Sequence, residues 1–104
     1  MNKEMLKGTI DLLILSLLNE QDSYGYEISK AIKERTEGEF EIQEATLYLS
    51  LKRLEKQKSV FSYWGDETFG GRRKYYAITD DGKRHLRTYI QDWNSVSEII
   101  DRFI

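Results

Sequence analysis

From Thr9 to Asn19 apolar residues fall on nearly every side of a helical wheel: Ile10, Leu12, Leu13, Ile14, Leu15, Leu17 and Leu18, with only Asp11 and Ser16 between them. A helix apolar all round is buried against more than one neighbour, so this first helix is core, and Leu12 and Leu15 are candidates for a subunit interface. After the polar break Asn19 to Asp22, Ser23 is placed to cap a second helix in which Tyr24, Ile28 and Ile32 recur every four residues and Gly38 closes the segment. A third helix is expected from Glu44 to Lys58. Leu47, Leu51 and Leu54 form its inward stripe, and Ala45, Leu49, Lys52, Arg53 and Lys56 lie opposite, with Thr46 and Tyr48 on the flanks.

The period then changes. Residues 60 to 65 and 72 to 78 are rich in β-branched and aromatic side chains and are joined by a loop holding Gly70 and Gly71, which predicts a β-hairpin. Thr79, followed by Asp80 and Asp81, caps a long last helix. Its apolar stripe is Leu86, Tyr89, Ile90, Trp93, Val96, Ile100 and Phe103. Unbroken, that helix spans about 35 Å at 1.5 Å per residue, more than so small a domain can cover, so the stripe is expected to pack on a second copy. The fold class is mainly α with a small β-hairpin: a winged helix-turn-helix over residues 1–78, with a long C-terminal dimerisation helix over 79–104 as part of one structural unit.

Composition narrows the function. The 104 residues make one domain, 39% hydrophobic and 33% charged, with neither the composition of a disordered chain nor an apolar run of the roughly 20 residues that cross a bilayer. No secretory signal pattern is visible and cysteine is absent, which fits the cytoplasm and removes disulfides and thiolate chemistry. The chain is acidic overall, with 16 Lys+Arg against 18 Asp+Glu, but residues 45 to 75 carry seven cations and three anions. Segregated charge of this kind suits phosphate binding by one face, since neutralised phosphates release counterions while the acidic remainder limits indiscriminate adhesion.

Candidate chemistry points the same way. A lone His85 without a nucleophile beside it, and carboxylates scattered among lysines, give no catalytic constellation, and neither a metal nor a cofactor is expected. Gly70 and Gly71 precede a strand, not a helix, so they read as a turn and not as a phosphate-cradling loop. The third helix instead offers what a major groove accepts, with Thr46 near its start and Tyr48, Lys52, Arg53 and Lys56 reaching outward. In the second strand Arg72 and Lys74 are expected on one face and Arg73 on the other, at least one of them toward phosphate.

These segments, in order, resemble one family. Gly8-Thr9-Ile10-Asp11-Leu12-Leu13-Ile14-Leu15, Tyr24-Gly25-Tyr26-Glu27-Ile28, Ala45-Thr46-Leu47-Tyr48, Leu51-Lys52-Arg53-Leu54-Glu55 and the run from Gly70 to Thr79 are similar to the PadR family of bacterial transcriptional regulators, in its subgroup with a single C-terminal helix. The resemblance implies a homodimeric repressor that binds a pseudo-palindromic double-stranded operator, with Tyr24 and Tyr26 joining the DNA-binding residues. It also implies that a planar aromatic or phenolic effector, where one exists, stacks on Trp93, a residue whose place in the middle of the apolar stripe is accounted for first by dimer-core packing. The chain departs from the family pattern at Leu49, where proline is usual, at Ala45, and at Lys58-Ser59, where Gly-Leu is usual. Two other readings share the scaffold: a protein-interaction module that does not bind DNA, and a small-molecule binding protein without specific DNA binding.

Overall fold

In the computed structural model, which describes residues 9–66 and 70–104, the chain runs α1 (Ile10–Glu20), β1 (Ser23–Tyr24), α2 (Gly25–Arg35), α3 (Glu44–Lys56), β2 (Val60–Trp64), β3 (Lys74–Ile78) and α4 (Asp80–Asp101). Gly8 of the opening motif and Glu67 of the hairpin loop lie outside the described residues. The strands form an antiparallel sheet in the order β1-β3-β2. In the hairpin Val60 faces Ile78 and Trp64 faces Lys74, and Gly65 N donates to Arg73 O at 2.8 Å, one step beyond the last strand pair.

The core is built from the stripes that the periodicity marks. Ile14, Leu15 and Leu18 of α1 meet Ile28 and Ile32 of α2, Leu47, Leu51 and Leu54 of α3, and Val60, Tyr76 and Leu86. Leu15 and Leu86 are 0% and 6% exposed within one protomer, which corrects their placement between subunits. Leu15 on α1 and Leu86 on the first turns of α4 both belong to the core of their own chain, as the all-round apolar pattern of α1 requires for Leu15.

The start of α2 also differs from expectation. Ser23 does not cap it; Ser23 and Tyr24 form a two-residue strand paired with Tyr76 and Tyr75, and Tyr24 becomes the N-cap, its backbone N–H donating to Glu27 Oε1 at 3.2 Å. At its other end α2 stops at Arg35, and Glu37 and Gly38 turn left-handed (φ 53° and 80°), so that Gly38 N reaches Lys33 O at 2.8 Å. Helix α3 ends two residues earlier than expected. Lys58 takes φ 63°, and Ser59 N donates to Leu54 O at 2.9 Å, a left-handed closure made without glycine.

The turn after α3 is also where α4 is fixed. Thr79 caps α4 by accepting from Gly82 N at 2.9 Å, and its hydroxyl reaches Lys58 O at 2.7 Å. Gly82 is buried so closely against Ser59 O that a Cβ there would collide with it. His85, one turn on, lies 2.6 Å from Ser59 Oγ through Nδ1. Beyond this anchor α4 leaves the body, and the molecule measures 53 × 30 × 21 Å.

Candidate nucleic-acid interface

The exposed side of α3 is short of partners in its own chain. Lys52 and Lys56 are exposed and form no ion pair among the described residues, and Leu49 beside them is 66% exposed. Thr46 is half-buried on the flank. Tyr48 lies across the N-terminus of α2, its ring so close to Gly25 that a Cβ there would clash, while the side chain stays 44% exposed. A notch of 190 Å³ opens beside it, lined in part by Tyr26, Ser29 and Glu44.

Arg53 behaves differently from the other cations of α3. Its guanidinium is paired with Asp11 at 2.5 Å, and that carboxylate, on α1, has a side chain only 13% exposed. The arginine therefore ties α1 to α3, and its charge is largely spent inside the protomer. No sequence rule links residues 42 apart on two helices, which is why Arg53 grouped with Lys52 on the wheel.

The hairpin adds three cations, each placed over a ring. Arg72 lies 5.5 Å from the Trp64 ring centre, Arg73 4.8 Å from Tyr24 and Lys74 5.7 Å from Tyr76. Strand β3 begins only at Lys74, so Arg72 and Arg73, expected within it, precede it. Rings link this wing to the start of α2: Tyr63 stacks on Tyr75 at 5.7 Å, Tyr75 meets Tyr24 edge-on at 5.5 Å, and Tyr24 stacks on Tyr26 at 6.4 Å. Tyr63 also donates to Asp22 Oδ2 at 2.6 Å, a bond to the neutral phenol that pushes its pKa up. The rings hold the arginines in defined directions with their charge still in water, where such contacts contribute about 0.5–1 kcal/mol each.

The chemistry available is that of charge and shape. Ser59 and His85 make a Ser–His pair, but Ser59 is fully buried, so the pair pins α4 to the turn after α3 and offers no substrate a nucleophile. Along α4 the apolar stripe stands open: Ile90, Trp93, Val96 and Ile100 are 43–55% exposed and Phe103 84%, and Ile99 and Ile104 widen it beyond the expected set. Leu12 and Tyr89 are partly buried at its inner end. Among the described residues no helix is long and apolar enough to cross a membrane.

A helical core with the third helix presenting free cations, flanked by a basic hairpin, is a winged helix-turn-helix unit. Residues 14–88 match the transcriptional regulator PadR-like family, and the chain belongs to it. It is similar to a transcriptional regulator from Clostridium thermocellum, with 41% identity and a TM-score of 0.93 over 100% of this chain and 98% of that one. It is also similar to a PadR family transcription regulator from Clostridium difficile, with 44% identity and a TM-score of 0.82 over 91% of this chain and 97% of that one. An uncharacterised protein of Lysinibacillus sphaericus is 48% identical over 97% of this chain and 93% of its own. The transcriptional regulator YqjI of Escherichia coli is 31% identical over 89% of this chain, which spans only 43% of that relative's length.

Proposed function

We propose that the protein is a homodimeric, sequence-reading DNA-binding repressor acting in the cytoplasm, with α3 in the major groove and the β2–β3 wing along the flanking backbone. The observation that carries this reading is that Lys52 and Lys56, on the exposed side of α3, form no ion pair among the described residues, and that the hairpin adds Arg72, Arg73 and Lys74, on a chain that is acidic elsewhere. Tyr24, Tyr26, Thr46 and Tyr48 complete the face, positioning the helix against phosphate and sugar. Dimerisation follows from the open stripe of α4, which in water leaves a row of large apolar side chains uncovered. Two-fold symmetry then sets the two α3 helices about 34 Å apart and calls for a pseudo-palindromic operator. A planar aromatic effector would sit between the subunits against Trp93, and would release DNA by favouring a dimer in which the two α3 helices no longer match that spacing.

The test is selection of duplexes from a random pool, followed by fluorescence anisotropy of the selected duplex and a scrambled one over a salt series. A preference of at least ~10³ for the selected duplex, with half-sites one turn apart, is the expected result. Equal, weak and steeply salt-dependent binding to both would reduce the basic face to a general polyanion surface and favour a protein partner instead.

A further inference from the structure

Leu49 is the only large aliphatic side chain among the described residues that stands in the open outside α4 and the residues after it. It lies in the middle of the outward stripe of α3, which runs Ala45, Leu49, Lys52, Lys56 along one face. The first two of these are apolar and the last two cationic. Leu49 is 66% exposed, whereas Trp64, exposed to a similar degree, lies beneath Arg72.

An isobutyl group in that setting fits a particular occupant. A protein surface apolar enough to cover Leu49 would also have to desolvate Lys52 and Lys56, one and two turns away and without acidic partners among the described residues. The DNA major groove supplies both chemistries at once, phosphates along its walls and, on its floor, a single kind of apolar group, the C5-methyl of thymine. Leucine has neither donor nor acceptor, so it can read nothing else there. Resting on the DNA-binding function proposed above, we infer that Leu49 is a specificity-determining residue that recognises a thymine methyl in each half-site. Ala45, one turn earlier, leaves room for the base pair beside it.

Uracil isolates this contact, because it removes the methyl and keeps every hydrogen-bonding group of thymine. Each thymine of the selected duplex is replaced singly by deoxyuridine, and binding is measured with the wild-type protein and with Leu49→Ala, which at so exposed a position is expected to keep the fold, as circular dichroism checks. At one thymine per half-site the wild type is expected to lose about 4-fold in affinity, the factor carried by burial of one methyl-sized group, and about 15-fold when both are replaced. Leu49→Ala is expected to bind thymine and uracil duplexes equally at those positions. If wild type and Leu49→Ala respond alike to every replacement, the contact is overturned while the DNA-binding function stands. If no duplex is selected at all, that function falls and the contact falls with it.

Discussion

Two neighbouring cations on α3 have opposite environments. Lys52 is exposed and has no ion pair among the described residues, whereas Arg53 is held on the nearly buried carboxylate of Asp11. Truncating Arg53 leaves that carboxylate without its partner, between the case of a surface pair and that of a buried one. Arg53→Ala is therefore expected to cost about 1–2 kcal/mol of stability, lowering Tm by about 4–16 °C in a domain of this size. The slope of log affinity for DNA against log salt should not change. Lys52→Ala should do the reverse, leaving Tm nearly unchanged and making the slope shallower by about one phosphate. Thermal melts and salt titrations on both variants decide the matter; an equal change of slope would place Arg53 on the DNA as well. The wheel drawn from sequence could not separate the two residues, since it records which side of α3 a residue occupies and not what α1 brings to meet it.

At the level of elements the local signals were sufficient and the long-range ones were not. Four helices and a hairpin follow from periods of 3.6 and 2.0 and from the caps around them, and Thr79 does cap α4. Strand β1 has no such signature, because two residues carry no period; it exists because Tyr76 and Tyr75, more than fifty positions away, offer a strand edge to Ser23 and Tyr24. The site divides in the same way. Its cations were legible as charge, but the rings beneath Arg72, Arg73 and Lys74, and the junction of His85, Ser59 and Gly82 that fixes α4 behind α3, depend on which strands and turns come together.

Helix α4 has 22 residues, about 33 Å, anchored only over its first turns, with its remaining apolar side chains in the open. Ile100 is 48% exposed and makes no part of the protomer core, so a charge there tests association without disturbing the fold. Ile100→Asp is expected to sediment as a monomer at micromolar concentration and to keep its helical content. Its affinity for a two-half-site duplex should fall by about 10²–10⁴, because the second half-site contact would no longer be held at high effective concentration. A variant that remains dimeric with unchanged affinity would assign the open face of α4 to something other than a second copy.

Over the whole molecule the charged groups are mostly solvated, and the pH dependence of stability should be correspondingly flat near neutrality. Two tyrosines depart from this. Burial pushes the Tyr76 phenol above its ordinary value of 10.0, with Glu55 adding to the effect, and the bond to Asp22 does the same for Tyr63. A pKa raised by folding means that the neutral phenol is favoured in the folded state. The stabilisation is fully present below pH 10 and is lost as pH rises through the higher folded value, where ionisation pulls the equilibrium toward the unfolded chain. On the acid side Glu20, lowered mainly by its hydrogen bond from Arg35, acts with the opposite sign: its contribution is present above 4.5 and fades as pH falls. That pair is solvent-exposed, so salt should weaken it. Urea midpoints are therefore expected to stay level between about pH 6 and 9 and to fall above pH 10, with a shallow, salt-sensitive decline below 4.5. Tyr76→Phe should start from a different stability but lose less of it in alkali. An equal alkaline decline in Tyr76→Phe would move the alkaline transition away from Tyr76, to Tyr63 or to another titrating group.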